Sequence, residues 1–291
     1  MRFEGAYAAI VTPFTDNGDI NVEGMRSNVG YLSGEGIAGL VPCGSTGESA
    51  TLTFEEHKKL IDITIDAANV PVIAGTGSNN TAEAVELTRY AQDAGADAAL
   101  LIVPYYNKPM KAGLVKHFGA IARAVDIPLI LYNIPGRTAI NMDAETVSEL
   151  AHEHSNVAGV KEASANFSQI SDVVELTRDL DFSVISGDDG LTLPMMALGA
   201  TGVISVAADI FPKRMIELVR LCLEGKFSEA REAHYQLSPL FRALFIETNP
   251  IPVKKACDLV GLTGGPLRLP LTEMAAANVA KLQTTLASYK D

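Results

Sequence analysis

The chain has 291 residues, of which 47% are hydrophobic, and this suffices for one large core or two modest ones. Its formal net charge is −12 without any Lys/Arg cluster, which argues against a nucleic-acid partner. No apolar run approaches the ~18 residues of a membrane span and no secretory signal precedes the first strand-like run, so we expect neither a membrane partner nor secretion.

Short apolar runs alternate with amphipathic segments from about residue 6 to about residue 224. The runs are continuous in apolar character and rich in Val, Ile and Leu, which is typical of parallel strands covered on both faces. They occupy residues 7–11, 39–42, 72–75, 98–103, 128–132, 157–160, 182–185 and 202–206.

The intervening segments have the apolar periodicity and the start signals of helices. Thr53 and Glu56 form a capping box, and Asn80 with Glu83 is a looser version of it. Eight successive strand–helix units predict a (β/α)8 TIM barrel, with a doubly wound open sheet as the alternative. The first strand lacks the glycine-rich turn of a dinucleotide-binding fold.

Beyond residue 225 the pattern changes, because helical periodicity continues at 227–245, 252–260 and 272–288 without strands between. We therefore expect a catalytic barrel over residues 1–225 and a C-terminal helical appendage over residues 226–291. Three widely separated cysteines, Cys43, Cys222 and Cys257, offer neither a disulfide framework nor a zinc motif. This usage fits the reducing cytoplasm, which we predict as the location.

Lys161 directly follows the apolar run at 157–160, where a barrel strand delivers catalytic residues. A buried ammonium group is costly and seldom occurs without a role. One interpretation is that Lys161 pairs with Glu162 or another carboxylate. The other is that burial lowers its pKa and leaves a neutral amine that attacks carbonyl carbon.

The other strand ends have similar pairs of interpretations. GSTGE at 44–48 either caps the next helix or receives a small carboxylate on its backbone N–H groups and hydroxyls. Arg137 either pairs with an acidic surface residue or binds a substrate carboxylate. Asp188 and Asp189 are most simply a helix N-cap, and an acidic pair there argues against a phosphate site.

Taken together, one barrel mouth gathers an amine, several hydroxyls, two backbone-rich loops and a guanidinium group. Such a site suits imine chemistry on a keto acid, with the iminium as electron sink for making or breaking a C–C bond. A metal-dependent aldolase needs convergent His and carboxylate ligands, which the sequence lacks. We therefore expect neither a metal nor an organic cofactor.

With these residues the chain resembles, over essentially its whole length, the dihydrodipicolinate synthase branch of the pyruvate-dependent class I aldolase and lyase superfamily. GSTGE at 44–48, YNIP at 132–135 and Lys161 are general to the superfamily, including N-acetylneuraminate lyases and keto-deoxy sugar acid aldolases. YYNKP at 105–109, Arg137 and NPIPVK at 249–254 are specific to the branch. The resemblance implies that pyruvate condenses with aspartate semialdehyde in the diaminopimelate route to lysine.

The resemblance also implies residue roles. Lys161 forms the Schiff base with pyruvate, and Tyr132 exchanges protons beside it. Ser45 and Tyr106 continue the relay, with Tyr106 arriving from an adjacent subunit of a homotetramer built as a dimer of dimers. The substrate-binding groups are the Thr46 side chain for the pyruvate carboxylate, the Ile204 carbonyl for the intermediate, and Arg137 for the semialdehyde carboxylate.

Two departures from the family pattern bear on function. Ser45 is commonly threonine in this branch and serine in the lyase branch, so it retains the hydroxyl but weakens the substrate assignment. Phe54 replaces a polar or differently shaped residue beside positions at which feedback-inhibited members bind lysine. Those positions, a possible allosteric site here, are Ser49, Ala50, His57, Asn79, Glu83 and Tyr105.

Two other functions are consistent with the fold. A pyruvate-forming lyase or aldolase for a longer keto-deoxy acid would cleave that acid and turn over little aspartate semialdehyde. A non-catalytic barrel acting as a ligand sensor or scaffold would tolerate loss of Lys161 or Tyr132, and both are present.

Overall fold

The computed structural model describes residues 2–289, whose eight parallel strands form a nearly closed barrel. The strands pair in the order β2-β1-β8-β7-β6-β5-β4-β3, and a bridge between Leu40 and Val72 joins the two ends. This confirms the predicted (β/α)8 barrel. The strands are β1 (Gly5–Ala8), β2 (Gly39–Leu40), β3 (Ile73–Gly75), β4 (Ala98–Ile102), β5 (Leu129–Asn133), β6 (Val157–Glu162), β7 (Ser183–Ser186) and β8 (Gly202–Ser205).

Helices surround the barrel and continue into the C-terminal part of the chain. Around the barrel are α1 (Val22–Gly34), α2 (Phe54–Ala67), α3 (Thr81–Ala94), α4 (Lys111–Ala122), α5 (Pro135–Thr138), α6 (Ala144–Glu153), α7 (Phe167–Leu176), α8 (Thr192–Leu198) and α9 (Pro212–Leu223). The C-terminal helices are α10 (Phe227–Leu244), α11 (Ile251–Val260) and α12 (Ala276–Ala287). Short 3₁₀ turns occupy Ser49–Thr51, Asp189–Leu191 and Ala207–Asp209.

The core has two layers because successive side chains of each strand point to opposite faces. One cluster fills the barrel interior and includes Tyr7, Ile130, Tyr132, Ile185 and Ile204. A larger cluster lies between the strands and the surrounding helices. Residues inside the barrel near the carboxyl ends of the strands therefore converge on one mouth.

Several strand boundaries predicted from the sequence are wrong by a few residues. The first strand begins at Gly5 and ends at Ala8, because its ladder follows the register of β8 rather than the length of the apolar run. Strand β6 extends through Lys161 to Glu162. On the neighbouring strand β7, Lys161 pairs with Ile185 and Glu162 pairs with Ser186. Lys161 is therefore the penultimate residue of a strand and does not follow it.

The last helix begins four residues later than the periodicity indicates. Residues 272–275 stay outside α12 because the Glu247 side chain accepts hydrogen bonds from the Ala275 N–H at 3.0 Å and from Asn278 Nδ2 at 2.8 Å. Glu247 lies in the connection between α10 and α11, so this helix start is determined by a tertiary contact.

The C-terminal helices pack on the side of the barrel that is covered by α8 and α9. Helix α10 contacts α9 and α8, while α11 and α12 contact each other and α10. The predicted division at residue 225 falls in the turn between α9 and α10. Within residues 2–289, no helix is both long enough and apolar enough to cross a membrane.

Candidate active site

Lys161 lies inside the barrel, one strand away from Tyr132. The two residues are directly paired between β6 and β5, and Lys161 Nζ lies 4.4 Å from the centre of the Tyr132 ring. Both side chains are buried, with 7% and 5% of their residue surface exposed. Lys161 and Glu162 do not form the salt bridge considered, because consecutive strand residues point to opposite faces and the Glu162 carboxylate accepts from Asn133 instead.

Burial determines the protonation of both groups. It lowers the pKa of Lys161 to about 8, against the charge of Asp189, while the charge of Arg137 lowers it further. Burial also raises the pKa of Tyr132 to about 12, against the charge of Arg137 and a hydrogen bond with Ser45. Near neutral pH the site therefore holds an amine that readily becomes neutral and a phenol that can donate a proton.

The 44–48 loop (Gly44, Ser45, Thr46, Gly47 and Glu48) follows β2 and reaches this pair. Ser45 is hydrogen-bonded to Tyr132. Thr46 is buried, and its Oγ1 accepts a hydrogen bond from Asn249 Nδ2 at 3.0 Å.

The alternative in which this loop caps the next helix is wrong. Helix α2 begins instead at the predicted capping box, where Thr53 and Glu56 exchange side-chain to backbone hydrogen bonds. The looser version at Asn80 is confirmed only for Asn80 itself, which caps α3 through the Ala82 N–H. Glu83 accepts a hydrogen bond from Ser78 Oγ at 2.8 Å and does not complete a box.

Arg137 lies in the short helix α5 at the mouth of the barrel. Its Nη2 donates to the Asn249 carbonyl at 3.0 Å, so the C-terminal part of the chain orients it. A cavity of about 450 Å³ is lined by Arg137 together with Ser45, Thr138 and Asn249. The guanidinium group can therefore reach a ligand in a space that the Ser45 side chain also lines.

Two of the predicted site residues occupy contrasting environments. Ile204 lies in β8 among the buried residues of the barrel interior. Tyr106 is 89% exposed and has a left-handed backbone, with φ of 73°. Within a single chain, the Tyr106 side chain therefore faces solvent.

The residues at which the resemblance implies lysine binding lie around the same cavity. Ser49, Ala50, His57, Glu83 and Tyr105 line it. Asn79 is connected to them because its Nδ2 donates to the Tyr105 carbonyl at 3.0 Å. Five of these six residues thus line the same cavity as Ser45 in the isolated chain.

Asp188 and Asp189 have different environments. Asp188 caps the 3₁₀ turn as predicted, accepting from the Gly190 N–H at 2.8 Å. Asp189 is buried instead, and its Oδ2 accepts from the N–H groups of Val206 at 3.1 Å and Ala207 at 2.9 Å. Its electrostatic effect on Lys161 was missed from the sequence, where only its position at a strand end was a signal.

The sequence also failed to predict a network of polar side chains on the outer face of the barrel, between the strands and the surrounding helices. Glu162 is fully buried and accepts hydrogen bonds from Asn133 Nδ2 at 3.1 Å, Gln169 Nε2 at 3.2 Å and the Ser164 N–H at 2.7 Å. The Asn133 side chain also accepts from the Met142 N–H at 3.0 Å. The network fastens the ends of β5 and β6, next to Tyr132 and Lys161, to the segment between α5 and α6.

Metal-binding side chains do not converge in this site. Over the described part of the chain, no group of three or more His, Cys, Asp or Glu residues is arranged to hold a metal ion.

Comparison with known proteins identifies the family. The model of the dihydrodipicolinate synthetase family matches residues 2–289. A 4-hydroxy-tetrahydrodipicolinate synthase from Methanothrix thermoacetophila is 55% identical over 289 residues, which cover 99% of this chain and 98% of the relative.

Solved structures that are similar to this chain come from the same family. A dihydrodipicolinate synthase from Acinetobacter baumannii complexed with pyruvate and one from Cyanidioschyzon merolae with lysine bound are each 41% identical to this chain. Each comparison has a TM-score of 0.95 and covers 98% of both chains. The chain belongs to the dihydrodipicolinate synthetase family.

Proposed function

We propose that this chain is a lyase that condenses pyruvate with L-aspartate 4-semialdehyde through a Schiff base on Lys161. The observation that carries the proposal is the buried pair of Lys161 and Tyr132, with Nζ 4.4 Å from the ring centre and Ser45 hydrogen-bonded to the phenol. This arrangement supplies a nucleophilic amine and a proton path at one place.

The first half of the reaction uses pyruvate. Thr46 binds the pyruvate carboxylate, and neutral Lys161 attacks the ketone carbon to form a C–N bond. Tyr132 donates a proton to the ketone oxygen, which leaves as water, and Ser45 passes protons to and from Tyr132. The resulting iminium withdraws electrons, so the Tyr132 oxygen, deprotonated by its first transfer, can take up a methyl proton and leave an enamine.

The second half uses the semialdehyde. Arg137 binds its carboxylate, and the enamine carbon attacks the aldehyde carbon to form the new C–C bond. The aldehyde oxygen takes up a proton from the relay, and the Ile204 carbonyl faces the intermediate. The amino group of the semialdehyde then adds to the iminium carbon and displaces Lys161, so ring closure breaks the C–N bond to the enzyme and restores the free lysine amine. No step needs a metal ion or an organic cofactor, because the iminium on Lys161 is the electron sink.

The identity of the relatives favours this substrate over the alternatives. The curated relative that is 55% identical is named a 4-hydroxy-tetrahydrodipicolinate synthase, the activity that belongs to diaminopimelate and lysine biosynthesis. This supports the synthase prediction over an N-acetylneuraminate lyase or a keto-deoxy sugar acid aldolase. The position of Arg137 at the cavity also suits a short acidic aldehyde better than a polyol.

The site further favours assembly of several copies. Because Tyr106 is 89% exposed in the single chain, its hydroxyl can complete the relay of a neighbouring copy. We therefore propose a homotetramer, built as a dimer of dimers, that works in the cytoplasm.

The test of the imine is borohydride reduction in the presence of pyruvate, followed by peptide mapping. A stable adduct on Lys161 supports the proposal, whereas no adduct or an adduct elsewhere overturns the mechanism. A coupled assay with aspartate semialdehyde then separates the synthase from the aldolases.

Arg137→Ala tests the second substrate. We expect kcat/KM for the semialdehyde to fall by about 10²-fold or more, since a bidentate charged contact is lost. Pyruvate should still be trapped on Lys161. Equal loss of trapping and condensation would contradict a role for Arg137 confined to the semialdehyde.

We also propose that lysine binds in the cavity lined by Ser49, His57 and Glu83 and inhibits the enzyme. The support is that five of the six implied positions line one cavity with Ser45 and Arg137, and that a relative 41% identical has been solved with lysine bound. Isothermal titration with lysine tests this, and the absence of heat at millimolar ligand rules it out.

A further inference from the structure

The 249–254 segment, which precedes and begins α11, contacts the 44–48 loop at two points. At one end, Asn249 Nδ2 donates to Thr46 Oγ1 at 3.0 Å. At the other end, Lys254 Nζ donates to Glu48 Oε1 at 2.6 Å. The C-terminal helical part of the chain therefore touches both the proposed carboxylate-binding threonine and the end of its loop.

The contact between Lys254 and Glu48 is a buried ion pair, with only 1% of either side chain exposed. The ammonium group also donates to the Thr12 carbonyl at 2.9 Å and the Pro266 carbonyl at 2.6 Å, so its three protons all have acceptors. The second oxygen of Glu48 accepts from the Arg268 N–H at 3.0 Å. Such complete hydrogen bonding offsets the cost of burying both charges.

Glu48, the acidic partner of this ion pair, has an unfavourable backbone conformation. Glu48 has φ of 55° and ψ of 36°, in the left-handed region that non-glycine residues seldom adopt. At the neighbouring residue, the Gly47 carbonyl accepts from Thr12 Oγ1 at 2.7 Å. The loop is therefore held by Thr12 in the segment that follows β1, and by the ion pair to Lys254 in α11.

The contact between Asn249 and Thr46 has a chemical consequence. A threonine hydroxyl has one proton, and a substrate carboxylate can only accept hydrogen bonds. When Thr46 Oγ1 accepts from Asn249 Nδ2, the threonine proton remains available for the carboxylate. Asn249 Oδ1 is buried and without a hydrogen-bond partner among the described residues.

We propose that the 249–254 segment is a positioning element for the pyruvate carboxylate. Asn249 directs the hydroxyl proton of Thr46 toward the carboxylate, and Lys254 holds the 44–48 loop in place through Glu48. This inference rests on the proposed function, because it assigns the carboxylate to Thr46. It makes the helical appendage part of the pyruvate site, although Lys161 and Tyr132 both lie in the barrel.

The first experiment measures how borohydride trapping on Lys161 depends on pyruvate concentration. We expect Asn249→Ala to raise the half-saturating pyruvate concentration about tenfold, with maximal trapping and unfolding temperature nearly unchanged. Asn249→Asp should raise it further, about 10²-fold, because the carboxylate accepts the Thr46 proton and repels the substrate. A purely structural role predicts that Ala, which removes the contact, is at least as harmful as Asp.

A double-mutant cycle tests whether Asn249 acts through Thr46. In a Thr46→Val background, Asn249→Ala should cause no further rise in half-saturating pyruvate. The same rise with and without the Thr46 hydroxyl overturns the inference. If the unmodified enzyme traps no pyruvate on Lys161, the proposed function itself fails, which is a distinct outcome.

The ion pair is tested with Lys254→Met, and Lys255→Met on the same helix is the matched control. We expect the half-saturating pyruvate concentration to rise about tenfold for Lys254→Met and to stay unchanged for the control. Because Lys254→Met leaves Glu48 buried and unpaired, it can impair folding. The charge-neutral double variant Glu48→Gln/Lys254→Met restores balance, and unchanged half-saturation in that folded protein overturns the role of the pair.

Discussion

The chemistry of Lys161 depends on its environment more than on its identity. An exposed lysine with a pKa near 10.4 is almost wholly protonated at neutral pH and is a poor nucleophile. Burial inside the barrel lowers the pKa of Lys161 to about 8. About one amine in ten is then neutral at pH 7, against fewer than about one in 10³ for an exposed lysine.

This shift predicts the pH dependence of imine formation. Only the neutral amine attacks, so the initial rate of pyruvate trapping should rise with pH and level off above about 8, at saturating pyruvate. Initial trapping rates between about pH 5.5 and 10 would measure the midpoint.

Asp189→Asn provides the control, because the charge of Asp189 raises the pKa of Lys161. Removing that charge should move the midpoint to lower pH. A midpoint near 10.5 in the unmodified enzyme would contradict the lowered pKa.

At the scale of elements, the site depends on how strand ends are fastened to their neighbours. The pairing of β5 with β6 sets Tyr132 beside Lys161, and the next residue on each strand, Asn133 and Glu162, ties the pair to the network on the outer face of the barrel. Gln169 at the start of α7 completes it. All side-chain and backbone groups that contact the Glu162 carboxylate in this network are donors.

Glu162→Gln should therefore be damaging despite its similar shape. It replaces one acceptor oxygen with an NH₂ group that faces donors, which costs about 1–3 kcal/mol in unfolding free energy. We expect kcat/KM to fall about tenfold, because the ends of β5 and β6 shift. Denaturant unfolding and the coupled assay measure the two effects.

Glu175→Gln on the exposed face of α7 is the matched control, and should change neither quantity. Wild-type activity of Glu162→Gln would show that the network does not position the site.

At the scale of the whole molecule, the proposed proton relay needs a second copy of the chain, because Tyr106 faces solvent in a single one. In an isologous dimer, each copy can supply the same residue to the other. Mixing two inactive variants, Tyr106→Phe and Lys161→Ala, tests this. A mixed dimer then contains one site with both Lys161 and Tyr106.

Random reassociation of equal amounts should restore about a quarter of normal activity, since half the dimers are mixed and one of their two sites is complete. Each variant refolded alone is the control. Absence of recovery, with mixed dimers demonstrated by differential tagging, would mean that Tyr106 acts within its own chain.

Much of the secondary structure and fold could be predicted from short stretches of the sequence. Eight apolar runs of strand length, separated by amphipathic segments, predict the barrel because strand and helix periodicities differ. The capping box at Thr53 was correct because both partners lie within one helical turn. Lys161 could be singled out because a charge ended an apolar run, although β6 in fact continues past it.

The amino-acid sequence by itself thus determined the barrel, the chemistry-bearing strand ends and the family. Only the tertiary structure decided which of these residues act together. Asn249 meets Thr46 across 203 residues, and Lys254 meets Glu48 across 206. No local pattern encodes such contacts, because they exist only when barrel closure and helix packing bring the two segments together. The lowered pKa of Lys161 has the same origin, since it arises from burial among neighbours distant in sequence.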